Sequence, residues 1–230
     1  MTASGVAGSV VAGGADSAVS AVADAERRVA EYAGLLAQAT DDVRRQLDEI
    51  RLPLHILLDN RFGELNENQE EMLGAARTAA ERADACLRRL RTIVDIDRGA
   101  IALRRDAIPA ADLITSLLPG LNADCTAAGV EVTTDIAPAL PRILGDRARL
   151  QEAGGLLLAE RVRALPAGSH VTISAAGIGD SVRIIVTHGG PAGSGADEAL
   201  ARRLIAANGG TVTEEGGRTT ITLPTARSGG

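Results

Sequence analysis

The sequence is nearly devoid of aromatic residues: its 230 positions hold one Phe, one Tyr and no Trp. Hydrophobic residues still make up 45% of the chain, which is enough to form a buried core. That core must consist of Leu, Val, Ile and Ala, a composition that suits helical bundles and small sheets. The length fits one large domain or two small ones.

The chain also contains no Lys, so Arg supplies all 24 of its basic side chains. The 30 acidic residues leave a formal net charge of −6 and a pI of about 5.2. Proteins that bind phosphate backbones do so through a basic face. The acidic balance therefore excludes nucleic acid as the main partner.

Cysteine is scarce, and long apolar runs are missing. Cys86 and Cys125 lie in helical patterns without a CxxC or Cys–His spacing, which predicts buried free thiols in a reducing cytoplasm. His170 and His188 lack a third ligand at a suitable spacing, so no metal site is expected. Residues 3–23 are mostly small and apolar, but the polar residues among them make the stretch too polar for a membrane span. The stretch also lacks the basic start of a signal peptide. We therefore expect a cytoplasmic protein without membrane contact.

The first half of the chain contains a strict seven-residue apolar repeat. Its members are Val22, Val29, Leu36, Val43, Ile50 and Leu57. A second row of Val19, Ala33, Leu47 and Leu54 is interrupted by Glu26 and Thr40. Heptads sustained over this length are typical of a coiled-coil seam. The pattern predicts a long helix from Ser17 to about Phe62, after a disordered segment at residues 1–16.

A second helix with spacings of three and four follows a short turn. Its apolar row is Leu73, Ala76, Ala80, Ala83, Leu87, Leu90 and Val94. Asn66 is the expected N-cap and Gly99 the expected C-cap. Residues 17–99 should thus form an antiparallel helical hairpin. Because one hairpin has too little core, two should pair into a four-helix bundle, which predicts a homodimer.

Pro53 lies inside the first helix, where proline removes a backbone hydrogen bond at a cost of about 3 kcal/mol. It marks either a tolerated kink or a bend beside a working surface. At seven-residue spacing, Asp41, Asp48, His55 and Phe62 form a stripe that we expect to point away from the seam into solvent.

Residues 100–225 have the pattern of a small α+β domain, followed by a loose tail at 226–230. The predicted strands are Ile101–Asp106, Val130–Ile136, His170–Ala175, Ser181–Thr187, Thr211–Glu214 and Arg218–Leu223. The predicted helices are Pro109–Ala128, Asp146–Ala164 and Ala196–Ala207. One side of the middle helix carries Leu150, Ala153, Leu157 and either Glu160 or Arg161. Three helices on a mixed sheet make a two-layer sandwich.

The order of these elements resembles the core of bacterial sensor histidine kinases, in which a dimerising hairpin precedes an ATP-binding domain of the Bergerat type. Residues 48–54, Asp-Glu-Ile-Arg-Leu-Pro-Leu, are similar to the family's His-Glu-Leu-Arg-Thr-Pro-Leu. Thr92–Gly99 looks like the exit from the second helix, and Gly145–Leu150 like the lead-in to the N-box. Ala201–Gly210 looks like the last helix and its turn.

At the family's functional positions the sequence departs from the pattern. The phosphoacceptor histidine aligns with Asp48, which cannot be the nucleophilic imidazole. The two N-box asparagines, the second of which helps to hold Mg²⁺, align with Leu156 and Glu160. The adenine-reading Asp-x-Gly aligns with Thr187 and Gly189, so its aspartate is absent.

The later glycine-rich loop aligns with residues 195–198, where Asp197 and Glu198 should repel a triphosphate. The stretch from Pro191 to the last helix is also too short for the family's ATP lid. The resemblance and its departures together imply that binding of ATP and Mg²⁺ is lost and that the protein uses no cofactor.

These features predict a pseudo-histidine kinase, a dimeric adaptor or regulator in two-component signalling. Its expected partner is the receiver domain of a response regulator or a partner kinase. The predicted docking residues are Asp41, Asp48, Arg51, His55 and Phe62. Two alternatives remain, a histidine phosphotransferase that relays phosphoryl groups through His55 and an active sensor kinase with divergent ATP boxes.

Overall fold

The computed structural model describes residues 10–59, 63–191 and 193–226, with side chains described at residue 27 and from residue 29 onward. The chain divides into two compact units, Met1–Leu87 and Arg88–Gly230, called here the hairpin unit and the sheet unit. No helix within the described ranges is both long and apolar enough to cross a membrane.

Two long helices account for the first half of the chain, as the heptads predict. Helix α1 spans Val10–Leu58 and α2 spans Glu67–Asp97. Helix α1 begins before the predicted Ser17, so residues 10–16 are helical, whereas residues 1–9 lie outside the described residues. Pro53 stays inside α1, which continues to Leu58. The unit division falls inside α2, so its last turns belong to the sheet unit.

Both predicted caps of α2 are confirmed. The Asn66 side chain accepts a hydrogen bond from the Gln69 N–H at 2.9 Å, and the Gln69 side chain accepts one from the Asn66 N–H at 3.0 Å. This reciprocal pair satisfies two otherwise unpaired donors. At the other end Gly99 has φ 67°, and the N–H of Ala100 donates to the Asp95 carbonyl at 2.8 Å. A left-handed glycine with this bond closes the helix as a Schellman motif.

The two apolar rows of α1 differ in exposure. Among the residues of the strict repeat with described side chains, Val29, Leu36, Val43, Ile50 and Leu57 are 38% to 67% exposed. In the second row Leu47 and Leu54 are half-buried, and Thr40 is buried. The Thr40 hydroxyl donates to the Leu36 carbonyl at 2.7 Å, so the row tolerates its polar member. The strict repeat is therefore the one that a single chain leaves uncovered.

The sheet unit alternates strands and helices after the end of α2. Its elements are β1 Asp106–Pro109, α3 Ala110–Ala128, β2 Glu131–Ile136, β3 Arg142–Gly145, α4 Arg147–Arg163, β4 His170–Ile178, β5 Ser181–Thr187, α5 Ala196–Ala207, β6 Thr211–Glu215 and β7 Arg218–Pro224. The main sheet has the order β2-β4-β5-β7-β6, with β2 and β4 parallel and the other pairs antiparallel. The predicted two-layer α+β architecture is confirmed.

One predicted strand needs correction, and one strand is missing from the predictions. Residues 101–105 are not a strand; β1 begins at Asp106 and pairs with β3, which the sequence pattern did not indicate. The pairing places Ile108 opposite Ile143, and both side chains are buried. A strand this short is defined by its partner rather than by its own alternation, because isolated pairs of strands are only marginally stable.

The core lies between α3, α4 and α5 and one face of the main sheet. Alternate residues of the central strands supply the sheet side: Val171, Ile173, Ala175, Val182, Ile184, Val186, Ile221 and Leu223. Ile93, in the last turns of α2, belongs to the same cluster. The core is therefore aliphatic, as expected. In this packing the second half of α4 lies beside the loop that follows β5.

Candidate functional site

The position of the family's phosphoacceptor lies on α1 and carries a carboxylate held by an arginine. The Asp48 side chain is exposed and lies 3.4 Å from the Arg51 guanidinium. Arg51 also lies 3.5 Å from the carboxylate of Asp84 on α2. Asp84 is 3% exposed and lies 3.2 Å from Arg44. Asp84 therefore anchors two arginines spaced seven residues apart on α1, a role that nothing in the sequence pattern indicated.

The predicted docking stripe is only partly exposed. His55 is exposed, and its Nε2 lies 3.7 Å from the Asp59 carboxylate. Asp41 is half-buried rather than exposed. Phe62 lies outside the described residues. The exposed part of this surface is thus Asp48, Arg51 and His55, which we call the α1 charged surface.

The positions aligned with the ATP boxes lie around the end of β5 and the second half of α4. Leu156 packs against the hydrophobic core. Glu160 accepts a hydrogen bond from the backbone N–H of Ser194 at 2.9 Å. Thr187 is the exposed last residue of β5, and Gly189 has φ 64°. Glu160 thus bonds to the loop after β5, and the other three positions carry neither a side-chain amide nor a carboxylate.

Arg161 is the buried charged residue at the centre of this region, with 1% of its side chain exposed. Its Nε donates to the Thr219 hydroxyl at 2.9 Å, and its Nη2 donates to Glu198 at 2.8 Å and to Glu214. Arg202 also contacts Glu198, and it lies 3.2 Å from Glu214. We call this set the Arg161 cluster. Its arginines and glutamates neutralise one another, as buried charges require.

The sequence left Glu160 and Arg161 as alternatives for the inner side of α4, and the structure selects Arg161. The spacing from Leu157 allows either residue, because positions three and four apart share a helical face. The glutamates that make burial of Arg161 possible come from α5 and β6, far away along the chain. No local signal could have identified them.

The acids expected to repel a triphosphate are paired, which corrects the electrostatic argument. Glu198 belongs to the Arg161 cluster, and Asp197 lies 2.9 Å from Arg89 and 3.3 Å from Arg163. Their charges are thus compensated within the sheet unit.

The space around the cluster is filled by close backbone approaches. A Cβ on Gly193 would overlap the Arg161 guanidinium, and a Cβ on Gly217 would lie 2.7 Å from the Cα of Gly189. The cavity beside His188 and the β6–β7 turn measures about 110 Å³. Sites for small organic ligands usually span about 300–1,000 Å³.

His188 lines that cavity from the inside. It is 5% exposed, and its Nε2 lies 3.1 Å from the Thr219 hydroxyl. The backbone N–H of Gly190 donates to its Nδ1 at 3.2 Å. Burial lowers the pKa of His188 below its usual value, the positive charge of Arg161 lowers it further, and Glu214 opposes these effects. Residue spacing along the sequence gave no indication of these contacts.

Comparison with solved structures places this fold beside those of histidine kinases. The histidine kinase AdeS of Acinetobacter baumannii matches with a TM-score of 0.58 at 15% identity, over 80% of this chain and 97% of that one. Full-length ShkA, solved in complex with AMPPNP, matches with a TM-score of 0.68 at 23% identity, over 83% of this chain and 46% of that one. No protein-family model and no curated protein matches the sequence.

Proposed function

We propose that this chain, which has the fold of a histidine-kinase core, is a homodimeric adaptor in two-component signalling that docks a receiver domain without binding ATP. The observation that carries the proposal is the Arg161 cluster at the positions aligned with the ATP boxes. The adaptor would act in the cytoplasm and use no cofactor.

The cluster opposes nucleotide binding energetically as well as sterically. A ligand entering between the loop after β5 and α4 would have to displace Arg161 from Glu198 and Glu214. Breaking a buried ion pair by removing one partner costs about 3–5 kcal/mol, because the other charge stays buried and unpaired. Binding of ATP would have to supply that free energy in addition to its own desolvation.

The hairpin unit supports docking rather than autophosphorylation. Asp48 offers a carboxylate where the reaction would need an imidazole. Arg51 is held between Asp48 and the buried Asp84, so the α1 charged surface has a fixed arrangement. Alternating positive and negative groups of this kind favour specific encounter with a charged partner. A receiver domain is the partner that the fold implies, and a partner kinase is the competing occupant.

The uncovered heptad row supports the homodimer. Val29, Leu36, Val43, Ile50 and Leu57 form one line along α1 and are exposed in the single chain. Seven-residue apolar spacing allows two helices to pack side chains into each other's grooves. A second copy of the same helix supplies the complementary row.

Titration of the purified protein with ATP and Mg²⁺ should give no saturable heat in calorimetry. A ligand at 100 times its Kd stabilises the native state by about 2.7 kcal/mol, so binding of ATP would raise the thermal midpoint. Because no binding is expected, the midpoint should be unchanged at millimolar ATP. Saturable binding of Mg²⁺·ATP would overturn the proposal. Loss of that binding in Glu160→Ala would then support the divergent-kinase alternative.

When a panel of purified receiver domains is tested, the wild-type dimer should capture at least one of them. The Arg51→Glu variant should bind that receiver domain with a Kd about tenfold higher. The charge reversal places like charges beside Asp48 and Asp84, and a tenfold change corresponds to about 1.4 kcal/mol. Arg45→Glu is the matched control, because Arg45 is exposed on the same helix and paired only locally with Asp42 among the described residues.

Capture by no receiver domain, or equal weakening in the control, would contradict the docking proposal. Incubation with phosphorylated receiver domains tests the relay at the same time. Phosphoryl label on the wild type that is absent from His55→Ala would replace the adaptor by a phosphotransferase acting through His55.

A further inference from the structure

His188 has both ring nitrogens engaged by the fold. Its Nδ1 accepts the N–H of Gly190, and its Nε2 lies within hydrogen-bond distance of the Thr219 hydroxyl. Because Nδ1 accepts, it carries no proton, so Nε2 must carry the proton of a neutral ring and donate it to Thr219. The contacts therefore require one neutral tautomer.

The same residue begins a segment that is pinned to the β6–β7 turn. The backbone N–H groups of His188 and Gly189 both donate to the Gly217 carbonyl at 2.9 Å. The Cα of Gly189 lies so close to Gly217 that a Cβ on Gly217 would overlap the Cα of Gly189. The start of segment 188–191 is thus bonded to the turn, and the hydrogen bond from the Gly190 N–H to the imidazole closes the first bend of the segment.

The charges around the ring disfavour a second cation. The positive charge of Arg161 on α4 lowers the pKa of the ring, and the Nη2 of Arg161 donates to Glu198 of α5. Glu214 and Glu215 of β6 and Arg218 of β7 line the cavity on the other side. Glu214 is already shared by Arg161 and Arg202, so it offers little further compensation to an imidazolium.

We propose that His188 is a proton-operated latch, which fastens segment 188–191 when neutral and releases it when protonated. A proton taken from solvent onto Nδ1 turns that acceptor into a donor that faces the Gly190 N–H. It also places a cation beside Arg161. Both effects favour an open arrangement in which the ring reaches water.

The direction of the pH dependence follows from the lowered pKa. The released or unfolded state binds a proton near pH 6.5, whereas the latched state binds it only at lower pH. The stabilisation by the latch is complete above about pH 6.5 and is lost as the pH falls toward the pKa of the latched ring. Within that window, opening becomes up to about tenfold more favourable per pH unit.

Nuclear magnetic resonance of the full-length protein tests the latch. The ring of His188 should titrate with a pKa below its ordinary value of 6.5. The protection factor of the Gly190 amide, corrected for intrinsic exchange, should fall by up to about tenfold per pH unit below pH 6.5. In His188→Asn, whose side-chain oxygen can accept the Gly190 N–H but cannot titrate, protection should not depend on pH.

His170→Asn is the matched control, since His170 is exposed on β4, and it should keep the wild-type pH dependence of Gly190. Titration of the His188 ring at or above pH 6.5 would overturn the latch. Protection of Gly190 that is equal at pH 8 and pH 5.5, or that changes equally in wild type and His188→Asn, would overturn it as well. If His188→Asn does not fold, the wild-type titration and protection decide the question.

Discussion

Arg161→Ala is expected to lower the free energy of unfolding of the sheet unit by about 3–5 kcal/mol. The substitution leaves the buried Glu198 with Arg202 alone and removes the donor that reaches Thr219 and Glu214. It also empties space that a long side chain fills at the junction of α4, α5 and the sheet. Chemical denaturation followed by circular dichroism measures the loss.

Arg163→Ala provides the matched control for this measurement. Arg163 lies two residues further along α4, pairs with Asp197 and is 62% exposed. Exposed pairs contribute about 0–1 kcal/mol, so its removal should be nearly neutral. A loss in Arg161→Ala as small as that in Arg163→Ala would mean that the cluster does not hold the two layers together.

A compensated variant separates the charge from the packing. Arg161→Met combined with Glu198→Leu and Glu214→Leu removes the buried ions together and keeps most of the volume. Replacing a buried ion network by apolar side chains of similar size is often neutral or stabilising. Arg202, which is partly exposed, can then turn its guanidinium toward water. Near-wild-type stability is therefore expected, despite the large loss in the single variant.

Ile50→Asp is expected to dissociate the homodimer. Ile50 belongs to the uncovered heptad row, and two-fold pairing would place it in the interface twice. Burying an Ile side chain contributes about 1.5–3 kcal/mol, and the substitution removes this contribution from both protomers. The dimer Kd should therefore rise by at least about a hundredfold. Sedimentation equilibrium or light scattering over a concentration series measures the change.

Leu52→Asp is the control, because the exposed fractions of Leu52 and Ile50 in the single chain are similar, 63% and 54%. Both variants put the same charge into the same stretch of helix, with the same helix propensity. Only the heptad position separates them, so Leu52→Asp should remain dimeric. Equal effects of the two substitutions, or a dimer that survives Ile50→Asp, would refute the proposed interface.

The departures of the family motifs were visible in the sequence, but their structural consequence was not. The substitutions at Leu156, Glu160 and Thr187 predicted loss of ATP binding, and Asp48 predicted loss of the phosphoacceptor, without indicating which contacts these positions make. Asp197 and Glu198 are both paired with arginines, so neither is the uncompensated charge that the sequence suggested. Compensation between distant residues cannot be derived from spacing, since it depends on which strands and helices meet.

Local chemistry determined the secondary structure that the sequence predicted. The heptads of α1, the Asn66 and Gly99 caps, the start of α3 directly after Pro109 and the extent of α5 depend on contacts within a few residues. The tertiary structure alone decided that Arg161 and Asp84 are buried, that β1 pairs with β3, and that His188 lies beneath the β6–β7 turn. Each of these depends on long-range contacts, and the free energy of burying a charge or pairing a short strand is set by those contacts rather than by the residue itself.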